Sequence, residues 1–369
     1  MRILHTSDIH LTTKGNPHFG ERWDSLEKIV KLSKELDIDV VVISGDLFDN
    51  SRAADVLRGE IREIFEASES KIIILPGNHD REAFSSGNFY GSNVVVLNDS
   101  SPVEVGGISF WGIPFFEASP AKVAVKIGEL KGKVNHPEKS LLVIHGELLD
   151  ISGGWDVYGD EGRGQYFPFK LSYFRGEKRE GVGWKYILAG HFHSNFILKT
   201  VSGNRNGEVS YFVYPGSPVS VTEKETGRRK VSVFEFGKVP VEYPIDSFYY
   251  EEVTVRISPF DSLLPLERIE KSIDERHIGS LSKLIVSVEG FYDREQVGME
   301  EGELVSAIKK LLSRWRLARE PVVRVTNIEK LLRDEIYEAF EEKLIKEPIG
   351  EDERNVIREL MIKAMIEIG

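Results

Sequence analysis

Five short polar motifs, each placed directly after an apolar run, constrain this chain more than any other feature of its sequence. In chain order the motifs are Asp8-Ile9-His10, Gly45-Asp46, Gly77-Asn78-His79-Asp80, His145-Gly146 and Gly190-His191-Phe192-His193. Short apolar runs bounded by Gly or Pro are typical of strands that are buried on both faces. Open α/β sheets gather functional groups in the loops beyond their strand ends. The pattern therefore predicts five strand ends that converge on one point.

The motif residues are the ligand types of a two-metal phosphoesterase. The predicted metal ligands are Asp8, His10, Asp46, Asn78, His145, His191 and His193. Carboxylate, amide and imidazole without thiolate favour Mn, Fe or Zn over soft metals. Asp46 is the best candidate for a bridge, because one carboxylate can give an oxygen to each metal. The surplus positive charge of two divalent ions over two carboxylates suits a phosphodiester substrate.

His79 and Asp80 have a different predicted role. His79 neighbours a ligand and can face the substrate, so we interpret it as the group that transfers a proton to the leaving oxygen or stabilises the transition state. Asp80 is the candidate to orient the His79 imidazole and to raise its pKa, as a nearby carboxylate does.

The order of these motifs resembles that of the calcineurin-like metallophosphoesterase superfamily. Within it, the segments 1–11, 44–49 and 75–80 resemble the SbcD-type nuclease of DNA double-strand-break repair and recombination. The resemblance implies two Mn²⁺ ions, with Fe, Zn or Mg as alternatives, and it implies His79 as the catalytic histidine. It implies that one metal is held by Asp8, His10, Asp46 and His193, and the second by Asp46, Asn78, His145 and His191. Some members carry a second substrate-side histidine where this chain has Asp49, which leaves open the balance of exonuclease and endonuclease activity.

The composition indicates a globular protein of more than one domain. The chain has 369 residues, 41% of them hydrophobic, and no cysteine, which excludes structural disulfides and cysteine-based zinc sites. No apolar run approaches the roughly 18 residues of a membrane-spanning helix, and no signal-peptide pattern is present. We therefore expect a cytoplasmic, nucleoid-associated protein without a membrane partner. The net charge of −12 argues against a simple DNA-coating protein but leaves room for a nuclease with local basic regions.

The pattern along the chain predicts three regions. Residues 1–244 alternate strands and helices and then turn to β structure, which predicts an α/β fold with a two-sheet β-sandwich flanked by helices. Helices are predicted over 23–36 and 56–65. Residues 245–327 read as a βαβαβ unit that resembles the capping domain of SbcD-type nucleases, which sits over the active site and contacts DNA. Residues 328–369 form two amphipathic helical patterns broken at Pro348-Ile349-Gly350.

Basic residues in two of these regions are candidate DNA contacts, with an ordinary solvated surface as the alternative. They are Arg175, Lys178 and Arg179 in the loop before Gly190, and Lys309 and Arg314 on a helix of the second region.

The expected partners are DNA and a second protein. The resemblance implies that residues 328–369 bind the coiled coil of an SbcC-type ABC ATPase, the alternative being that these helices fold back on the capping domain. The oligomeric state is left open, a homodimer included.

The sequence thus predicts a manganese-dependent DNA nuclease. One alternative is a protein phosphatase or cyclic-nucleotide phosphodiesterase on the same fold, and another is a non-catalytic scaffold. The phosphatases of the superfamily usually carry Arg after the Gly-Asp-x-x-Asp segment and before Gly-Asn-His, where this chain has Asn50-Ser51 and Pro76. A scaffold would show substituted ligands, whereas all seven positions are intact.

Overall fold

The computed structural model describes residues 1–85, 87–150, 167–175, 182–194, 196–202 and 209–368. The chain divides into two compact units, Met1–Tyr250 and Glu251–Gly369. Among the described helices, none combines the length and the apolar composition that crossing a bilayer requires.

The first unit is built on two six-stranded sheets. Its strands are β1 (Arg2–Thr6), β2 (Val40–Ser44), β3 (Lys71–Leu75), β4 (Val94–Val96), β5 (Val103–Val105), β6 (Ile108–Ile113), β7 (Ser140–His145), β8 (Tyr186–Gly190), β9 (Ile197–Ser202), β10 (Val209–Tyr214), β11 (Lys230–Glu235) and β12 (Val241–Pro244). One sheet has the order β12-β11-β1-β2-β3-β4 and the other β5-β6-β7-β8-β10-β9. Strands β1 to β4 run parallel, as do β6, β7, β8 and β10.

The two sheets face each other across an apolar core. Val42 and Ile73 of the first sheet belong to the same buried cluster as Val143 and Leu188 of the second. The opposite faces are covered as well, by the helices α1 (Phe19–Glu35) and α2 (Ser51–Glu66) on one side and α3 (Pro120–Lys131) on the other. Because each central strand is buried on both faces, its sequence is a continuous apolar run rather than an alternating one. The predicted two-sheet α/β sandwich flanked by helices is confirmed.

Helix α2 begins earlier than the sequence predicted. The Asn50 side chain accepts a hydrogen bond from the Ala53 backbone at 3.0 Å and so caps the helix, which starts at Ser51 rather than at residue 56. Its apolar face, which includes Leu57 and Ile61, packs on the sheet. Short 3₁₀ turns occupy Arg81–Phe84, Pro137–Lys139 and Leu171–Tyr173.

The second unit contains the predicted βαβαβ arrangement. Its elements are β13 (Tyr250–Ile257), α4 (Pro265–Asp274), β14 (Lys283–Tyr292), α5 (Arg294–Val297), α6 (Glu301–Leu312) and β15 (Val322–Asn327), and the strands pair in that order. Ile269, Ile273, Leu304 and Ile308 bring the two main helices onto the sheet.

The last helices of the chain pack within the second unit. They are α7 (Glu329–Leu332), α8 (Glu335–Leu344) and α9 (Glu351–Ile368). Tyr337 and Ile362 are buried in a small cluster that also takes in Phe260 and Phe291. Arg358 ties α9 to α8 through bonds of 3.0 and 3.1 Å from its Nε to the Glu341 carboxylate. One face of these helices is therefore used inside the unit.

Candidate metal centre

The predicted ligands lie where the parallel strands of the sandwich end. Asp46 and Asn78 follow β2 and β3, and Asp8 and His10 follow β1. His145 is the last residue of β7, and the motif that begins at His191 follows β8 directly. Five strand ends from both sheets thus contribute to one region, as the order of the motifs predicted.

The loops that carry these residues adopt unusual backbone conformations. Of the eight non-glycine residues with positive φ in the described chain, four are predicted ligands, namely Asp8 (56°), His10 (50°), Asp46 (51°) and His191 (112°). Each such residue costs about 1–3 kcal/mol and persists where the surroundings enforce it. Here the loops enforce each other, because the Asp8 amide donates to the Gly45 carbonyl at 3.1 Å and the His10 amide donates to the Asp46 carbonyl at 3.0 Å. The backbone strain is therefore concentrated at residues whose side chains are predicted metal ligands.

Two glycines allow the loops to approach this closely. A Cβ atom on Gly45, whose φ is 98°, would run into the His145 imidazole. A Cβ atom on Gly77 would run into the Asp46 carboxylate. The glycines of these two motifs are therefore required by the packing of the ligands themselves.

Three overlapping groups of side chains each place one potential ligand atom within 4.8 Å of the others. The groups are Asp8 with His10 and His193, His10 with Asp46 and His79, and Asp8 with Asp46 and His145. Asp46 belongs to two of them, as the predicted bridging position requires. Asp8 and His10 are shared as well, so the geometry shows one continuous ligand cluster.

The distances place Asp46 at the middle of this cluster. Its Oδ2 lies 3.2 Å from Nε2 of His145 and 3.9 Å from Nε2 of His10. Oδ1 of Asp8 lies 3.6 Å from Nε2 of His193, and the Nε2 atoms of His10 and His193 are 3.2 Å apart.

The remaining two predicted ligands lie beside His145. Asn78 Oδ1 lies 2.8 Å from Nε2 of His145. The His191 ring contacts the His145 ring with centroids 5.5 Å apart, and the His191 amide donates to Asp8 Oδ2 at 3.0 Å. All seven predicted ligands are thus brought to one place.

The donor set fits a pair of cations. Asp8 Oδ1 and Asp46 Oδ2 are fully buried carboxylate oxygens, and within the described residues neither accepts a well-formed hydrogen bond. A buried anionic oxygen without a donor is costly unless a positive charge meets it. Both atoms point into the cluster of imidazoles, where a divalent ion would satisfy them.

The neighbouring carboxylates favour the protonated forms of two of these imidazoles. Burial by itself would lower the pKa of His145, but Asp46 and Asp8 raise it to about 10. Burial likewise disfavours the charge of His193, but Glu225 and Asp8 raise its pKa well above the ordinary value. In turn, His193 and His145 hold the pKa of Asp8 and Asp46 below the usual range, against the effect of burial. Metal binding at this site therefore requires protons to leave.

His79 lies next to this cluster, and its ring is oriented by a backbone carbonyl. Its Nδ1 lies 3.2 Å from the carbonyl oxygen of Asp49, and its ring stands edge-on to that of His10 with centroids 4.8 Å apart. The sequence placed His79 on the substrate side, and the structure places it within reach of the ligand atoms as well.

Asp80 holds two loops together, a role that was not predicted from its position beside His79. It is fully buried, and its two carboxylate oxygens accept hydrogen bonds from the amides of Gly77 at 2.8 Å and Phe48 at 3.2 Å. These bonds tie the loop after β3 to the loop after β2. Burial and the neighbouring Asp46 charge raise the pKa of Asp80 to about 7. The hydrogen bonds of Asp80 give it a role in holding the loop, and the Asp49 carbonyl contacts the His79 ring; that Asp80 orients the imidazole stays a prediction.

Glu225 is a functional residue that the sequence reasoning missed. It is buried, and its Oε1 lies 3.2 Å from Nδ1 of His193, on the side of the ring opposite the cluster. The amide of Val221 at 2.9 Å and the hydroxyl of Ser217 at 3.2 Å hold its other oxygen. Carboxylates that accept from a ligand histidine fix its tautomer and orientation.

The turn Tyr214-Pro215-Gly216-Ser217, which follows β10, lies next to Glu225. The Ser217 amide donates to the His193 carbonyl at 3.0 Å, so this turn lies against the ligand loop. Arg229, also buried, donates from Nε to the Ser217 carbonyl at 3.0 Å. Neither residue type nor spacing distinguishes the buried Glu225 from the other glutamates of the sequence.

We expect Glu225→Gln to weaken Mn²⁺ binding by about 10- to 100-fold while the fold stays intact, because partners of ligand histidines typically contribute that much. Isothermal titration calorimetry measures the affinity, and circular dichroism checks the fold. Glu60→Gln, on the exposed face of α2, is the matched control and should leave the affinity unchanged. Equal affinities for Glu225→Gln and wild type would remove Glu225 from the site.

The candidate DNA contacts are placed as follows. Arg175 is exposed, whereas Lys178 and Arg179 lie outside the described residues. In the second unit, Lys309 Nζ lies 2.6 Å from Glu320, and Arg314 lies 2.5 Å from Glu270. These two basic side chains are thus paired with carboxylates on the surface.

Comparison with known proteins finds one matching family model and several similar solved structures. A family model described as calcineurin-like phosphoesterase matches residues 1–195, a range that contains all seven predicted ligands. A solved structure from Thermus thermophilus is similar, with 14% identity, a TM-score of 0.41 and coverage of 66% of this chain and 98% of that one. A dimetal phosphatase from Danio rerio has 11% identity, a TM-score of 0.41 and coverage of 66% and 96%. A purple acid phosphatase from yellow lupin seeds has 14% identity, a TM-score of 0.39 and coverage of 63% and 48%.

Proposed function

The chain belongs to the calcineurin-like phosphoesterase family, and from this membership we propose that it is a two-metal, manganese-dependent DNA nuclease of the SbcD type. The family carries out metal-dependent hydrolysis of phosphoesters on a fold that holds a dimetal centre. The proposal adds the substrate, DNA, and the native metal, Mn²⁺. The observation that carries it is the buried ligand cluster at five strand ends, in which the buried oxygens Asp8 Oδ1 and Asp46 Oδ2 are placed to bind cations.

The resemblance to SbcD-type nucleases implies how the side chains of the cluster divide between two ions. Asp8, His10, Asp46 and His193 would hold one, and Asp46, Asn78, His145 and His191 would hold the other. When bound, such a pair stabilises the attacking and the leaving oxygens of an in-line displacement. Glu225 and the Ser44 carbonyl, which lies 2.8 Å from Nδ1 of His145, fix the ring orientations before any ion arrives.

His79 is the residue that moves a proton. As an imidazolium, His79 would donate from Nδ1 to the Asp49 carbonyl and deliver the proton on Nε2 to the leaving oxygen of the diester, which leaves a neutral imidazole. Asp80 supports this step by tying down the loop that carries His79. Asp49 is itself held by Arg22, whose guanidinium donates to Oδ1 at 3.2 Å and to the His10 carbonyl at 2.7 Å.

Two alternatives use the same cluster in other ways. A phosphatase would act on monoesters and a cyclic-nucleotide phosphodiesterase on small cyclic diesters. The positions at which the superfamily's phosphatases usually carry Arg are here the helix cap Asn50 with Ser51, and Pro76, which favours a diester without an arginine clamp. A scaffold without catalysis is disfavoured by the complete ligand set.

A substrate panel tests the proposal. With Mn²⁺, we expect hydrolysis of single-stranded and duplex DNA and of bis-p-nitrophenyl phosphate, and little hydrolysis of p-nitrophenyl phosphate or of cyclic AMP. Preference for the monoester would favour a phosphatase, and preference for the cyclic diester would favour a cyclic-nucleotide phosphodiesterase.

The proposal includes DNA contacts in each unit: around Arg175 in the first unit, and at the basic residues Lys309 and Arg314 in the second. We expect charge reversal of Arg175, Lys178 and Arg179 to weaken DNA binding and to flatten its salt dependence, because each lost phosphate contact releases fewer counterions. Fluorescence anisotropy at several salt concentrations measures both. Lys34→Glu, exposed on the first unit, is the control. Unchanged DNA affinity in the triple variant would reduce this loop to a solvated surface.

We also propose that α8 and α9 bind an SbcC-type ATPase. Their inner face packs within the second unit, but Ile336, Val356 and Leu360 remain 58–65% exposed. Val356 and Leu360 are one helical turn apart, so they form a stripe that suits a partner helix.

The stripe can be tested without disturbing the inner face. Val356→Glu with Leu360→Glu should abolish co-purification with the ATPase and leave the metal content unchanged, because burying two carboxylates against an apolar helix is costly. Val125→Glu, similarly exposed on α3, serves as the matched control. Full co-purification of the double variant would place the tether elsewhere.

A further inference from the structure

A cleft of about 610 Å³ opens beside the candidate metal centre within the first unit. Its lining includes Asn78, His79, Arg81, Glu82, Phe116 and Glu117. The volume lies in the range of roughly 300–1,000 Å³ that is usual for small-ligand sites. Asn78, a predicted metal ligand, and His79, the predicted proton donor, form part of the cleft wall. A group bound in the cleft would therefore lie next to the scissile bond and could belong to the same substrate.

The charge of the cleft opposes a second phosphate. Glu82 and Glu117 bring two carboxylates against the one guanidinium of Arg81, and all three side chains are exposed to solvent. Carboxylates repel phosphodiester oxygens but accept hydrogen bonds from the exocyclic amino groups of nucleobases. The occupant that suits this lining is therefore neutral and carries N–H donors.

The cleft also offers an aromatic surface. Phe116 is half-buried, and its ring is braced edge-on by the buried ring of Phe167, with centroids 5.1 Å apart at 77°. Phe115, beside it, is almost fully buried and anchors the same segment in the core. A braced, half-exposed phenyl ring is a platform on which a base can stack.

We infer that this cleft receives the unpaired nucleobase of the nucleotide whose phosphate lies at the metal centre, with Phe116 as its stacking surface. The inference rests on the proposed nuclease function and deepens it. A base can enter only after it leaves the duplex stack, which selects single strands, frayed ends and mismatched nucleotides as substrates. The metal centre then binds the phosphate, and the cleft beside Phe116 binds the base.

Two chromogenic diesters with the same leaving group test the inference. 2′-Deoxycytidine 5′-(p-nitrophenyl phosphate) carries a base with an exocyclic amino group, and methyl p-nitrophenyl phosphate carries no base. With Mn²⁺, wild-type protein should show a kcat/KM for the nucleoside ester about 5- to 150-fold above that for the methyl ester, the range that base stacking supplies. Phe116→Ala should bring this ratio towards one. Phe89→Ala, which removes an exposed phenyl ring outside the described lining of the cleft, should keep it.

A second variant and a second substrate distinguish the loss of base stacking from misfolding of the Phe116→Ala protein. Phe116→Leu keeps the apolar contact with Phe167 but lacks the aromatic face, so it should lower the ratio in a stably folded protein. A single abasic nucleotide at the cleavage site of an oligonucleotide should slow the wild type and have much less effect on Phe116→Leu.

The outcomes separate this inference from the nuclease proposal. A ratio near one in a wild-type protein that cuts DNA would overturn the base site alone, as would an unchanged ratio in both Phe116 variants. Failure to cut any DNA, with the ratio and its dependence on Phe116 intact, would overturn the nuclease proposal and leave a base-recognising phosphodiesterase.

Discussion

Asp46→Ala is expected to lose both metal ions and to reduce phosphodiester hydrolysis by about a thousandfold or more. Asp46 belongs to two of the three ligand groups, lies 3.2 Å from His145 and 3.9 Å from His10, and is the ligand proposed for both ions, so its loss should affect both. Metal ions stabilise the transition-state charge by several kcal/mol, and each 1.4 kcal/mol corresponds to a factor of ten in rate. Metal content by plasma mass spectrometry and hydrolysis of bis-p-nitrophenyl phosphate measure the two effects.

Two further variants make this result interpretable. Asp46→Asn keeps the shape of the side chain and removes its charge, so it should show the same loss without a cavity. Asp24→Ala removes an exposed carboxylate that is paired with Lys28 at 2.7 Å, and it should retain both ions and full activity. If Asp46→Asn bound two ions as tightly as the wild type, Asp46 could not be the bridge.

His79→Ser is expected to keep both ions and to lose about 10²- to 10⁴-fold in the rate of DNA cleavage. That is the usual contribution of a general acid or base, and the bond from Nδ1 to the Asp49 carbonyl orients the ring for it. Single-turnover cleavage of a labelled oligonucleotide gives the rate, and calorimetry with Mn²⁺ gives the stoichiometry.

The control for His79→Ser is His136→Ser, because His136 is an exposed histidine, 72% accessible at its side chain, that lies outside the cluster. The nature of the leaving group gives a second check. A substrate with a p-nitrophenolate leaving group needs little protonation, so His79→Ser should lose much less activity on it than on DNA. Loss of a metal ion from His79→Ser would instead make His79 a ligand, which its distance to His10 and Asp46 also permits.

The central strands and the ligand positions could be predicted from sequence because one cause produces both. Strands such as Val40–Ser44 and Lys71–Leu75 are buried on both faces, so they appear as uninterrupted apolar runs. Parallel strands bring their carboxyl ends to the same edge, so the polar residues that follow them converge. The strained conformations of Asp8 and Asp46 follow from that convergence rather than from local preference.

The contacts of Asp80 with Phe48 and of Glu225 with His193 could not be predicted from the neighbouring sequence, because these partners come from distant parts of the chain. Asp80 is adjacent to His79 in sequence, but the loop directs its carboxylate to amides of Gly77 and Phe48, and the Phe48 partner comes from another strand end. Glu225 lies 32 residues from His193, and only the folding of the intervening β9–β10 hairpin and turn brings them together. The start of α2 was missed for a local reason, since Asn50 is a favourable cap that the apolar periodicity does not show.

Anomalous diffraction at the manganese edge, from crystals of the wild-type protein grown with Mn²⁺, would locate the bound ions. We expect two peaks about 3.5–4 Å apart. Asp46 should lie between them, Asp8 and His193 beside one, and Asn78 and His145 beside the other. A single peak, or peaks away from the ends of β1, β2, β3, β7 and β8, would contradict the proposed two-metal site.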